Sequence, residues 1–313
     1  MKRRVAIIGA GVSGLTCGVV FAERGYRTAI FAEESGAETT SAAAAAIWFP
    51  YDAEPAARVI PWALHTRETF RLLSRDSGSG VSMIELRVFS RSGEIENPEW
   101  SIALGAKRVP ASDLQPAFAS GFTLRVPLTD TTRYLSYLLE RFRNAGGEIH
   151  TGVHFDQLED IPGEFETCVN CAGIGAGNLV PDAEVEAHRG QVVMVAPIDL
   201  TYAVVCNDPP LMYAIPRGHD CVFGGTNERS LDRQSDPAMT ARIVAGCSRV
   251  LQIEPPTVRD AAVGLRPFRR CGVCLRTAQL KDGRQVIHNY GHGGSGFTVS
   301  WGCAAEVLAL AEA

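Results

Sequence analysis

The sequence predicts an α/β protein in which a parallel-sheet domain is interleaved with a second domain built on a mixed, antiparallel sheet. Three observations predict it. A short, wholly apolar run opens the chain and leads through a glycine loop into a helix. Alternating apolar and polar residues fill two middle stretches, 82–128 and 185–225. Another apolar strand, glycine loop and helix close the chain, so the first fold resumes after the second.

Residues 5–8 (VAII) read as a strand covered on both faces, as in a parallel sheet. After the loop Gly9-Ala10-Gly11-Val12-Ser13-Gly14, a helix is expected up to about Gly25, where glycine stops it. Residues 28–32 (TAIFA) form the second buried strand, ending at Glu33 and completing a βαβ unit. Residues 56–75 carry apolar positions at helical spacing, and Pro61 inside them places the expected helix start there, with proline in its first turn. The alternation in 82–128 and 185–225 predicts antiparallel strands. Residues 131–145 form an amphipathic helix with Tyr134, Leu135, Leu138 and Leu139 on one face, stopped by Gly146-Gly147. Residues 286–288 return to a strand, and the closing helix starts from about Thr298.

Composition narrows the function classes. With 313 residues, roughly two domains are expected at about 150 residues each. A 46% hydrophobic fraction and a net charge of −5 exclude a disordered chain, and the lack of basic excess argues against nucleic acid. No stretch reaches the length of a membrane span, and Met1-Lys2-Arg3-Arg4 leads into no cleavable signal, so a cytoplasmic protein is expected. Nine cysteines fit a reducing compartment. The pairs Cys168/Cys171 and Cys271/Cys274 have zinc-ligand spacing, but they lie far apart and outside any zinc-ribbon context. They read as small buried hydrophobes. No metal is expected, and one disulfide stays open.

The chemistry begins at the glycine loop. Gly9, Gly11 and Gly14 sit between a strand and a helix, and Glu33 lies 19 positions beyond the third glycine. In a Rossmann-like unit the first glycine makes the tight turn and the second lets backbone approach a pyrophosphate. The third allows close packing, and the acidic residue accepts from ribose hydroxyls. The charge of Glu33 disfavours the 2′-phosphate of NADP. Residues 286–296 (VIHNYGHGGSG) offer a second glycine-dense turn before a helix N-terminus. Two anion-receptive cradles so far apart suit an extended flavin dinucleotide better than NAD.

The stretches VIHNYGHGGSGFTVSWGCA, RVAIIGAGVSGL, TTSAAAAAIWFPY, VNCAGIGAG, MYAIPRG and GLRPFR occur in the order found in the D-amino-acid oxidase family, which the chain resembles over its full length. The resemblance implies FAD as cofactor and oxidative deamination of neutral D-amino acids by hydride transfer to the flavin. The products would be 2-oxo acid, ammonia and, after reoxidation by dioxygen, hydrogen peroxide. It implies that Arg266 and Tyr213 grip the substrate carboxylate, that the Gly294 carbonyl receives the amine, and that Phe49 lines the pocket. For the cofactor it implies Gly9, Ala10, Gly11, Val12, Ser13, Gly14, Glu33 and Glu34. The segment Thr39, Thr40, Ser41, Ala46, Ile47 and Trp48 would wrap the pyrophosphate and flavin. Val153, Ala172, Gly293, Gly294, Gly296 and Thr298 complete the set. No side-chain general base is expected.

Several positions depart from the family pattern. Pro209 stands where many relatives have a second tyrosine, and the connection across 205–211 is too short for a mobile lid. Ser295 stands where the signature is often tyrosine, and Phe49 where some relatives have glutamine. D-aspartate oxidases resemble GGTRQ where this chain has Gly224-Gly225-Thr226-Asn227-Glu228, so a second carboxylate would lack its arginine. The alternatives are a D-aspartate oxidase, a glycine or sarcosine-type amine oxidase, a non-catalytic flavoprotein and an NAD-dependent dehydrogenase. The expected partners are a small D-amino acid and dioxygen, with no nucleic acid and no membrane; a homodimer is left open. The motif order divides the chain into a cofactor domain (1–48, 129–184, 275–313) and a substrate domain (49–128, 185–274).

Overall fold

The computed structural model describes residues 3–313; Met1 and Lys2, which open the basic N-terminus, lie outside them. The chain begins β1 (Arg4–Ile8), α1 (Val12–Glu23) and β2 (Arg27–Ala32), then α2 (Ala56–Leu73). There follow β3 (Val81–Ser90), α3 (Glu99–Ala103), β4 (Lys107–Arg108), β5 (Ser120–Thr129) and α4 (Thr131–Asn144). Next come β6 (Glu148–Thr151), β7 (Thr167–Asn170), α5 (Ala176–Leu179), β8 (Val185–Val195) and β9 (Tyr202–Cys206). The series continues through β10 (Met212–Pro216), β11 (Cys221–Gly224), β12 (Glu228–Arg229), α6 (Pro237–Leu251) and β13 (Val258–Arg269). It ends with β14 (Cys274–Gln279), β15 (Gln285–Tyr290) and α7 (Gly296–Glu312).

Two sheets result. The first has the order β14-β15-β7-β1-β2-β6, parallel except for the β14 edge. Its five parallel strands follow the 3-2-1-4-5 arrangement of a doubly wound sheet, which opens a crevice at the carboxyl end of β1. Val5 to Ile8 are all buried, as strands covered on both faces must be. The second sheet runs β12-β8-β11-β10-β9-β3-β5-β4, with β13 on the free side of β8. It is antiparallel except where β3 meets β9, so it is mixed. Both strands 81–90 and 120–129 pair fully, but most of the intervening 91–119 is loop and short helix, not the strand the alternation suggested.

Two further boundaries and one buried face differ from the sequence reading. The helix expected from Pro61 begins at Ala56 and carries Pro61 inside it. Its buried stripe of Val59, Trp62, Ala63, Thr66 and Phe70 starts before the proline, and that apolar face outweighs the one hydrogen bond proline forfeits. In α4 the buried stripe is Tyr134, Leu135, Leu138 and Phe142, with Leu139 at its edge, and Asp130 caps the first turn. The closing helix starts at Gly296, two residues before Thr298. No helix among the described residues is long and apolar enough to cross a membrane.

Candidate active site

The crevice at the end of β1 continues as a cleft of ≈ 410 Å³ lined by residues of both sheets, a size suited to a bound small molecule. Its dinucleotide end is built from backbone. Gly9 holds φ +106°, where a side chain would be strained, and a Cβ there would come 2.4 Å from the Cys171 carbonyl. Gly14 lies against the turn itself: a Cβ would fall 1.9 Å from the Gly9 carbonyl. The first α1 hydrogen bond runs from Leu15 N–H to the Gly11 carbonyl at 2.9 Å, so the N–H groups of Ser13 and Gly14 have no partner within the helix at its mouth. Ser41 Oγ accepts from Val12 N–H at 2.9 Å and so ties the small-residue segment to that mouth. Thr40 Oγ1 donates to the Leu265 carbonyl at 3.2 Å, anchoring the same segment to β13.

Most cofactor positions read from the sequence meet in this cleft. Gly9, Ala10, Gly11, Val12, Ser13, Glu33, Glu34, Thr39, Thr40, Ser41, Ala46, Ile47, Val153, Ala172, Gly293, Gly294, Gly296 and Thr298 all line it. Two do not. Gly14 sits behind the loop, in the packing role its spacing implied. Trp48 is core: its indole N–H donates to the Ala63 carbonyl at 2.9 Å, and its backbone N–H to Pro127 O at 2.9 Å. Glu33, expected at the ribose, lies 3.2 Å from His154 Nδ1, and this carboxylate raises the imidazole pKa.

The substrate end is built from side chains on the antiparallel sheet. Arg266 on β13 pairs across from His188 on β8, and its guanidinium lies against Gly190, where a Cβ would be 2.3 Å from Nη1. Nη1 donates to the Thr226 carbonyl at 2.9 Å, and no carboxylate among the described residues pairs with this arginine. Tyr213 on β10 crosses the backbone of Gly224 and Gly225, where side chains would collide with its ring. Burial raises its phenol pKa and neighbouring Arg266 opposes that rise, so at neutral pH the hydroxyl keeps its proton as a donor. Gly294 lies beneath the ring of Tyr51, which would meet a Cβ at 2.6 Å.

The structure adds residues that motif matching missed. Tyr51 lines the cleft, and its hydroxyl accepts from Asn227 Nδ2 at 3.2 Å. It follows Phe49 by two residues in IWFPY, so alternation from Phe49 was the available signal. Phe49 and Tyr51 are clipped to the start of α7. Thr298 Oγ1 accepts from Phe49 N–H at 3.2 Å, and Ser295 Oγ accepts from Tyr51 N–H at 2.8 Å. His292 also lines the cleft; burial lowers its pKa to about 4, and its Nε2 is 3.0 Å from Asn289 Oδ1.

The connection 207–211, which brings Asn207 and Leu211 to the cleft, is tied down. Asp208 Oδ2 accepts from Ser90 Oγ and Arg91 N–H, at 2.8 and 2.6 Å. Arg91 in turn donates to the carbonyls of Asp208 and Pro210, at 2.6 and 2.8 Å. All nine cysteines are free thiols, eight of them buried, and no cluster of metal-ligating side chains occurs among the described residues.

Residues 4–310 match the family described as FAD dependent oxidoreductase, abbreviated DAO. The chain is 39% identical to a D-amino-acid oxidase of Rubrobacter xylanophilus, covering 99% of this chain and 96% of the relative. It is 38% identical to a D-amino-acid oxidase of Streptomyces coelicolor, covering 98% and 96%. Among solved structures, glycine oxidase from Geobacillus kaustophilus superposes with a TM-score of 0.83 at 19% identity, covering 99% of this chain and 95% of that one, which shows a shared fold. The glycine loop after β1 and the Gly293–Gly296 turn line one cleft, as an extended FAD requires. The chain belongs to this family of FAD-dependent oxidoreductases.

Proposed function

We propose that the protein is a D-amino-acid oxidase acting on neutral D-amino acids. The observation that carries this reading is Arg266: a guanidinium without a carboxylate partner among the described residues, beside a protonated Tyr213, at the end of the FAD cleft. Its planar fork suits two parallel bonds to the substrate carboxylate, which lysine would not reproduce. The Thr226 carbonyl and the Gly190 backbone fix that fork, and Tyr213 donates a further bond.

The Gly294 carbonyl receives the amine, and these contacts together set which face of Cα meets the cofactor. Glu33, Glu34, the loop Gly9 to Gly14 and the segment Thr39 to Ile47 hold FAD on the other side. FAD held there would supply a two-electron acceptor for the α-hydride and a route for its electrons to dioxygen as hydrogen peroxide, and the imino acid would hydrolyse to a 2-oxo acid and ammonia. No side chain is assigned as a base: of the two imidazoles in the cleft, His292 is bonded to Asn289 and His154 lies against Glu33. Orientation then carries most of the rate, an effect of about 7–11 kcal/mol where geometry is ideal.

The side-chain pocket supports neutral substrates. Val192, Val205, Leu211, Ile215 and Phe49 supply apolar walls, and Asn207 and Tyr51 the polar groups. The other arginine in the cleft, Arg233, is paired with Glu34, so a side-chain carboxylate would stay unmatched. We assign residues 1–48, 129–184 and 275–313 to the cofactor domain and 49–128 and 185–274 to the substrate domain. We also assign a cytoplasmic location and leave a homodimer as the candidate assembly.

Oxygen uptake and peroxide release by the yellow holoprotein, given D-alanine, L-alanine, glycine and D-aspartate separately, test the reading. D-alanine should turn over fastest. Turnover of L-alanine alone, or of D-aspartate above D-alanine, would overturn it.

A further inference from the structure

Arg233 and Glu34 stand 199 residues apart in sequence and meet across the cleft, Nη1 to Oε1, at 2.7 Å. Glu34 follows β2 of the parallel sheet, and Arg233 belongs to the arm between β12 and α6 of the other sheet. Both line the dinucleotide cleft.

The arm that carries Arg233 is held from beneath by a buried arginine. Arg189 on β8 is 5% exposed, and its guanidinium bonds the two carbonyls flanking Arg233 as well as Gln191 Oε1. Nε donates to Asp232 O at 3.1 Å and Nη2 to Gln234 O at 2.6 Å. Gln191, also buried, exchanges bonds with Asp236 at the far end of the arm: its Oε1 accepts from the Asp236 N–H and its Nε2 donates to the Asp236 carbonyl, both at 2.9 Å. Desolvating a guanidinium is costly, and here its hydrogen bonds fix a surface arm whose tip reaches the other sheet. The ion pair is therefore presented by a pre-set support and not by a loose chain.

We propose that the Arg233–Glu34 pair is a clasp across the dinucleotide cleft that slows release of FAD. The clasp rests on the assignment of that cleft to FAD and adds a retention element that the glycine motifs do not supply. The pair lines the same cleft as Gly9 and Gly11 and so would cover part of a dinucleotide held there. Release requires the pair to part. Because both side chains are partly exposed, at 47% and 40%, the pair is weak and salt-sensitive, suited to setting a rate more than an affinity.

Release of FAD from the holoprotein, followed by the rise of free-flavin fluorescence on dilution, tests this. Arg233→Ala and Glu34→Gln should each speed release by about three- to fivefold, and the double variant should be no faster than either. High salt should speed wild-type release toward the variant rate, and the charge exchange Arg233→Glu with Glu34→Arg should slow release again. Thermal unfolding of the FAD-free variants checks that the fold is intact. Wild-type release from Arg233→Ala overturns the clasp. So does slowed release from Glu34→Gln, which would mean that Arg233 holds a phosphate directly once freed. A wild-type chain that binds no FAD overturns the clasp and the cofactor assignment together.

Discussion

At one end of the cleft the chain offers its ligand backbone, and at the other it offers side chains. Around Gly9 and Gly14 nothing protrudes, because a Cβ at either position would run into a carbonyl. Around Arg266 and Tyr213 the glycines do the opposite: Gly190, Gly224 and Gly225 are floors on which large side chains lie. The same residue type thus lets backbone pack on backbone in one place and lets a protein side chain lie on backbone in the other. A cradle made of backbone and helix N-terminus recognises what every dinucleotide shares. In the proposed reading, anchors made of a guanidinium and a phenol recognise one substrate group, and different side chains on the same floors would recognise another.

The comparison breaks most completely if the cradle is filled. Gly14→Val would press a side chain into the Gly9 carbonyl, so this variant should purify colourless, without stoichiometric FAD. Flavin absorbance against protein concentration measures this. A yellow Gly14→Val protein would mean that the turn has slack the structure does not show.

The effect at the other end should be smaller and of a different kind. Gly190→Ala places a Cβ 2.3 Å from Arg266 Nη1, but a guanidinium is the free end of a long side chain and can move aside. FAD content should be unchanged while KM for D-alanine rises about tenfold, the cost of a misplaced charge-assisted bond. Steady-state kinetics at several substrate concentrations separate KM from kcat.

The two ends were unequally legible in the sequence. The cradle was readable because backbone geometry restricts residue choice: three glycines at fixed spacing between a strand and a helix leave few alternatives. Arg266 and Tyr213 carry no such local signature. They come from β13 and β10, and only the family resemblance singled them out from the neighbouring Arg269, Arg270 and other tyrosines. Tyr51 went unread because its place depends on Gly294, 243 residues later. Trp48 was misplaced for the converse reason, since adjacency to pocket residues in sequence says nothing about which face a side chain takes. The helix start at Pro61 failed because the apolar stripe of α2 outweighed local proline chemistry.

The mildest expected effect is graded. Burial lowers the pKa of both His288 and His292 to about 4, and both lie in the C-terminal segment that joins the two ends. Unfolded histidine protonates near about 6.5, so between these values the unfolded chain binds more protons than the folded one. Stability should be steady above about pH 6.5 and fall as the pH is lowered from there toward about 4. Thermal melts across that range measure it, and His292→Asn should flatten part of the slope. A melting temperature that does not change over that range would contradict the buried, neutral state of these rings.

The central claim is that cofactor and substrate are held by separable means, and Arg266→Leu tests it most directly. The purified variant should carry FAD at the wild-type ratio. Mixed anaerobically with D-alanine, its flavin should bleach about a hundredfold or more slowly than wild type, the usual consequence of losing one partner of a buried charge pair. Bleaching at the wild-type rate would remove Arg266 from the substrate site. Loss of FAD along with bleaching would show that the two ends of the cleft are not separable.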